Sequence, residues 1–113
     1  MDELEKNETI GDLYAYYGKL LTKSQQNYFE DYYYNDLSLS EIAANHQVSR
    51  QAVYDNLRRC RKLLFNYEEK LQMQKEYNEI EQALDSLSDI VKQKKQTQAL
   101  SLINDLLAKM RGE

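Results

Sequence analysis

Ser38-Leu39-Ser40-Glu41-Ile42-Ala43-Ala44-Asn45-His46-Gln47-Val48-Ser49-Arg50-Gln51-Ala52-Val53-Tyr54-Asp55-Asn56-Leu57 is the stretch whose reading decides the fold. Ser38 and Glu41 stand three residues apart, the spacing of a capping box, so a short helix opens at Leu39. Asn45-His46-Gln47 then breaks the apolar pattern with turn-favouring residues, and Ser49 offers its hydroxyl as the cap of a second helix. On that second helix Val53, Leu57, Cys60 and Leu64 recur at steps of three and four and mark an inward face. Two helices that cross steeply need a small residue where they meet, and Ala43 supplies it; Val48 is expected to plug the core from the turn, and Val53 to pack beneath Ile42. Residues of about 38–64 therefore read as a helix-turn-helix.

In such a unit the second helix presents its N-terminal residues to base edges in the major groove while the first supports it. The outward face expected here is Ser49, Arg50, Gln51, Tyr54, Asp55 and Arg58, with Arg59, Arg61 and Lys62 extending the basic side towards the flanking backbone. Arg50 and Gln51 are the base readers of choice, because each can pair bidentately with a purine edge. Arg58, Arg61 and Lys62 suit phosphates. Asp55 would repel phosphate unless it accepts from a cytosine amine or pairs with Arg58 or Arg59.

Upstream, Thr9 is expected to cap a helix whose apolar face is Ile10, Leu13, Tyr14, Tyr17, Leu20 and Leu21. Thr22-Lys23-Ser24-Gln25 is a further capping box, followed by Tyr28, Phe29, Tyr32 and Tyr33 on one face to about Asn35. Downstream, the second helix of the motif has no breaker and is expected to run through Tyr67 and Leu71. Tyr77, Ile80, Leu84, Leu87 and Val91 then follow a 3-4-3-4 spacing, a short seam that fits either a dimer or packing on the core. Lys92 to Gln96 is a polar joint, and Ala99, Leu102, Ile103, Leu106 and Met110 form a last amphipathic stretch. The organisation expected is a helical domain over 1–66 and C-terminal amphipathic helices over 67–113.

The 113 residues contain no proline and only three glycines, none inside the central motif, so an all-α fold is the default. Net charge is −4, but residues 1–37 carry eight acids and three bases, 38–65 two acids and five bases, and 66–113 nine acids and seven bases, giving −5, +3 and −2. The positive island coincides with the motif. Cys60 is the single cysteine and cannot form an intramolecular disulfide, and the polar opening, Met1 to Glu8, is unlike a secretory signal; both point to the cytoplasm. No apolar run approaches the roughly 20 residues of a membrane span. His46 lacks a second metal ligand nearby, there is no Cys/His cluster, and no glycine-rich phosphate loop occurs. An enzyme, a cofactor, a metal and a small-molecule substrate are therefore not expected.

Leu21-Thr22, Gln25, Tyr28-Phe29, Leu37-Ser38, Ser40-Glu41-Ile42-Ala43, Val48-Ser49, Val53, Leu57, Arg59 and Arg61-Lys62-Leu63-Leu64 resemble region four of bacterial sigma factors, over about Leu20 to Leu64. That resemblance implies a winged-helix-like core of three or four helices, here with a long C-terminal helical extension. The string Val48 to Leu57, followed by Leu63-Leu64 and Tyr67-Glu68-Glu69-Lys70-Leu71, is similar to the YlxM family of small helix-turn-helix proteins over most of the chain. The family resemblance implies a regulator or accessory factor of the signal recognition particle pathway. Sigma-type turns usually carry glycine where this chain has Gln47, and a left-handed residue there costs roughly 1 kcal/mol. Two functions are thus expected to compete: a homodimeric regulator of duplex DNA, and an adaptor that touches signal recognition particle RNA or protein, or RNA polymerase. An orphan structural dimer is a third.

Overall fold

Helix ends rather than apolar runs position this fold. The computed structural model describes residues 4–113, which form six α-helices and one 3₁₀ turn, with no strand among the described residues. The first three residues of the polar opening lie outside them. In chain order the elements are α1 (Glu8–Tyr17), a 3₁₀ turn (Gly18–Leu20), α2 (Lys23–Tyr33), α3 (Leu39–His46), α4 (Arg50–Leu71), α5 (Met73–Lys92) and α6 (Gln96–Met110). The contacts divide into two units, one ending at Gln74 and one running from Lys75 to Glu113.

In the first unit α4 is the central helix, and α1, α2 and α3 all pack on it. Its inward face is divided between two clusters. Val53 and Leu57 meet Ile42, Ala43, Leu39 and Tyr32, which fastens α3 and the end of α2 to the first half of α4. Cys60 and Leu64 meet Ile10, Leu13, Tyr17, Leu21 and Phe29, which fastens α1 and the start of α2 to the second half. All four α4 residues are fully buried, so the 53/57/60/64 spacing marks the core seam as expected.

Both capping boxes form. The Ser38 hydroxyl accepts from the Glu41 N–H at 3.0 Å while the Glu41 carboxylate accepts from the Ser38 N–H at 3.2 Å, and Thr22 and Gln25 repeat the exchange. The start of α1 differs from expectation. Its cap is Asn7, whose side-chain oxygen accepts from the Ile10 N–H at 3.0 Å, and Thr9 lies inside the first turn. The same helix stops at Tyr17; the tighter 3₁₀ turn that follows carries Leu20 outward, 55 % exposed, and delivers Leu21 to the core in its place.

The turn between α3 and α4 is a Schellman motif without glycine. Gln47 is left-handed (φ 56°, ψ 44°), the Val48 N–H donates to the Ala43 carbonyl at 3.1 Å, and the Gln47 N–H donates to Ala44 at 3.4 Å. This backbone satisfies the last carbonyls of α3 but leaves Val48 at the surface, 40 % exposed, so it does not plug the core; Tyr28, Leu37 and Tyr54 flank the cluster instead. Gln72, also left-handed, ends α4 with its N–H on the Glu68 carbonyl at 2.8 Å.

The joint after α4 is tied to α1. The Tyr17 hydroxyl donates to Glu68 Oε1 at 2.6 Å and accepts from the Met73 N–H at 3.0 Å, while the same Glu68 oxygen accepts from the Gln74 N–H at 3.0 Å. A carboxylate thus meets the first amides of α5, where the helix dipole favours negative charge. In the second unit α5 and α6 form an antiparallel hairpin through Lys94, left-handed at φ 59°. Ile80, Ala83, Leu87 and Ile90 turn inwards, and Ala99 and Leu106 face them from α6. Glu79 and Lys109 form an ion pair across one rim, which holds the Glu79 carboxyl below its ordinary value.

Candidate nucleic-acid interface

The Ser49 hydroxyl accepts from the Ala52 N–H at 3.0 Å, so α4 begins on a fixed, exposed cap. Ser49 and Gln51 stand clear of the core and Arg50 is half-buried beside them. Arg50, Tyr54, Arg58 and Lys62 follow at steps of four along one side of the helix, and Gln51, Asp55 and Arg59 follow along the next. Arg58, Arg59 and Lys62 are exposed; Tyr54, half-buried, leans on the α3 cluster. From Arg50 to Arg58 the helix rises about 12 Å and to Lys62 about 18 Å, so the first two turns match the width of a major groove and the later cations stand at its rim.

Two side chains expected to face a ligand already hold partners. Gln51 Nε2 donates to Asp55 Oδ1 at 2.9 Å, which fixes the amide and gives the carboxylate a neutral partner rather than Arg58 or Arg59; Arg59 donates only to the Asp55 backbone carbonyl, at 3.4 Å. Arg61 is turned towards the N-terminal segment, donating to the Glu5 carbonyl at 2.9 Å with the Glu5 carboxylate 3.9 Å away. Its charge is therefore shared with the fold, whereas Arg58, Arg59 and Lys62 remain at the surface.

An open trough runs past the recognition turns, lined by Asp55, Arg58, Arg59, Arg61, Lys62 and Phe65. Phe65, 44 % exposed, was not among the expected site residues. The signal was present, since position 65 falls off the inward 53/57/60/64 stripe, but a lone apolar residue on an outer face carries little weight. His46 closes the back of the motif, stacked on Tyr28 at 4.5 Å with Nε2 3.3 Å from Asp31 Oδ2, a packing role. Cys60 is sealed in the core, and burial pushes its thiol up to about 11. No group of three or more potential metal ligands occurs among the described residues.

A capped short helix, a left-handed turn and a longer helix with an exposed, basic outer face define a helix-turn-helix protein. Residues 4–104 match the family model described as "Putative helix-turn-helix protein, YlxM / p13 like", and the chain belongs to this UPF0122 family. It is 44 % identical over 107 residues to a UPF0122 protein of Lactiplantibacillus plantarum, covering 93 % of each chain. It is 47 % identical over 88 residues to one of Geobacillus kaustophilus, 78 % of this chain and 80 % of that one. The UPF0122 protein YlxM of Bacillus subtilis is 37 % identical over 107 residues, 95 % of this chain and 97 % of its own. No helix of the described residues is long and apolar enough to cross a membrane.

Proposed function

We propose that this protein is a non-enzymatic, cytoplasmic regulator that binds duplex DNA as a homodimer through the N-terminal turns of α4. The observation that carries the reading is the Ser49-capped helix start, where Ser49, Arg50 and Gln51 project ahead of a continuous basic side formed by Arg58, Arg59 and Lys62. Arg50 and Gln51 read bases, Asp55 orients the Gln51 amide, and Tyr54 packs against the supporting helix. Arg58, Arg59 and Lys62 bind phosphates, with Arg61 contributing at the trough. A sigma region-four-like mode of docking and a role in regulating or assisting the signal recognition particle pathway follow from the family resemblance.

A second reading is favoured by one observation: Asp55 keeps a negative charge on the recognition face of a chain whose net charge is −4. In that reading the scaffold is an adaptor for signal recognition particle RNA or protein, or for RNA polymerase, and does not read DNA. Fluorescence anisotropy against genomic duplex fragments and against signal recognition particle RNA, each at several salt concentrations, separates the two. Duplex binding with a steep salt slope, reduced by about one charge in Arg58→Ala and stripped of sequence preference in the Arg50→Ala/Gln51→Ala double variant, supports the regulator. RNA binding alone, or double-variant binding indistinguishable from the parent, overturns it.

A further inference from the structure

The acid on the recognition helix has both a partner and a direction. At 100° per residue, Gln51 and Asp55 lie about 170° around α4 from the centre of the buried 53/57/60/64 seam, on the ridge that faces most directly away from the core. Arg50 lies only about 50° from that seam and is half-buried, so it reaches a ligand from the side. A duplex that takes the first turns of α4 into its groove therefore meets the Gln51–Asp55 pair first. One hydrogen bond joins the pair, from Gln51 Nε2 to Asp55 Oδ1 at 2.9 Å. A carboxylate only accepts, so chemistry decides that the nitrogen of the Gln51 amide turns to Asp55. What remains for a ligand is Gln51 Oε1, one Gln51 N–H and Asp55 Oδ2, two acceptors to one donor. An unrestrained glutamine can turn its amide over and exchange donor for acceptor; here that would set oxygen against carboxylate oxygen. Arg59 donates to the Asp55 main-chain carbonyl at 3.4 Å, which leaves the carboxylate's second oxygen open.

We infer that Gln51 and Asp55 act as one reader of amino-bearing bases, with adenine at Gln51 and cytosine at Asp55 on neighbouring positions of one strand. The inference rests on the reading that α4 enters duplex DNA and goes beyond it by naming the bases. In the major groove the only hydrogen-bond donors are the adenine N6 and cytosine N4 amino groups; guanine presents O6 and N7, and thymine presents O4 and a methyl group. Gln51 Oε1 accepts from adenine N6 while its second N–H donates to N7, the bidentate pair that a fixed amide allows. The Asp55 carboxylate takes the other amino base. Cytosine suits it better than adenine, because adenine N7 would lie beside the carboxylate as a further acceptor, whereas cytosine presents carbon there. Opposite guanine or thymine the same carboxylate would be stripped of water against a carbonyl oxygen and left without a donor. Successive bases on a strand stand about 3.4 Å apart. The two side chains meet at 2.9 Å, so neighbouring positions lie within their span. The acid that weakens attraction to phosphate is thus the group that supplies discrimination.

The test is selection of tight sites from a random duplex pool by the full chain, followed by fluorescence anisotropy of the parent, Asp55→Ala and Asp55→Asn. Each protein is titrated with the selected duplex, with the same duplex carrying thymine in place of the cytosine, and with an unrelated duplex. The selected site is expected to hold adjacent adenine and cytosine on one strand, and the thymine duplex to bind the parent about ten-fold more weakly. In both variants that preference should fall below about three-fold. Affinity for the unrelated duplex should meanwhile rise about two-fold, because a negative charge leaves the groove face. Far-ultraviolet circular dichroism should not change, since residue 55 lies off the core seam. Lost preference together with gained general affinity is a combination that a merely structural Asp55 would not produce. Equal strengthening on all three duplexes, or a selected site without adjacent adenine and cytosine, overturns this inference and leaves duplex binding standing. A parent that binds no duplex overturns the proposed function, and this inference with it.

Discussion

Replacing Gln47 by glycine should stabilise the helix-turn-helix, and the size of the gain follows from one dihedral angle. At φ 56° and ψ 44° the residue sits in the left-handed region, where a side chain bearing a Cβ costs roughly 1–2 kcal/mol. Glycine removes that cost but returns roughly 0.4–1 kcal/mol through the greater freedom of the unfolded chain. The Gln47 side chain is exposed, so little else is lost. The net expectation for Gln47→Gly is about 0.5–1 kcal/mol of added stability, or roughly 2–8 °C in Tm for a domain of this size. Urea unfolding followed by circular dichroism reads it as a higher midpoint at unchanged slope. Gln72→Gly, at the same conformation (φ 55°, ψ 30°) at the end of α4, should give a similar gain, and the two should add because the sites share no partner. A β-branched residue at position 47 should act in the opposite direction. An unchanged or lower midpoint for Gln47→Gly would show that the turn carries no strain and that the departure from glycine is neutral.

Two further predictions concern buried polar groups. Tyr17→Phe removes both the donor to Glu68 and the acceptor of the Met73 N–H, and should cost about 1–3 kcal/mol in urea unfolding of the full chain; a loss below about 0.5 kcal/mol would mean that the joint does not depend on this hydroxyl. Cys60 should resist a thiol reagent at pH 8 until the protein unfolds, and stability should fall as pH rises from about 9 to about 11. In that window the folded chain keeps a thiol proton that the unfolded chain has released, so the decline should be shallower in Cys60→Ala. Tyr14, stacked on Phe29 and pushed up to about 12 chiefly by its burial, should extend the decline beyond it.

The sequence marks helix starts by chemistry and helix stops mainly by position. Ser38, Ser49 and Thr22 were legible because a capping hydroxyl sits at fixed spacing from the amide it serves, and each forms the bond expected. The stops were placed as well, near Asn35, at Asn45-His46-Gln47, after Leu71 and in the joint from Lys92. Their geometry was less legible: Asp36, Gln47, Gln72 and Lys94 all turn left-handed without glycine, and only Gln47 was weighed as a left-handed position beforehand. The misplacement of Val48 has the same origin: once Gln47 turns left-handed, the chain delivers the next side chain to the surface. Asn7 was hidden for a different reason, since Thr9 offered an equally good hydroxyl two residues later and local chemistry alone does not rank the two.

The candidate site shows the same division between local and non-local information. Spacing identified the outer face of α4, because 50, 54, 58 and 62 must align on any regular helix. It could not show that Arg61 is drawn to Glu5, a partner fifty-six residues away in sequence, or that Gln51 and not an arginine holds Asp55. The heptad stripe after Tyr67 is the instructive case. A single 3-4-3-4 pattern was legible over Tyr77, Ile80, Leu84, Leu87 and Val91, but at 100° per residue these positions fan over about 80° of the helix, and the pattern does not show which edge is buried. The fold separates Ile80 and Leu87, which are half-buried, from Tyr77, Leu84 and Val91, which stay exposed, Val91 at the edge of Ala99. The heptad count alone could not rank these positions by burial, because spacing records a shared face and not the depth to which each residue is covered.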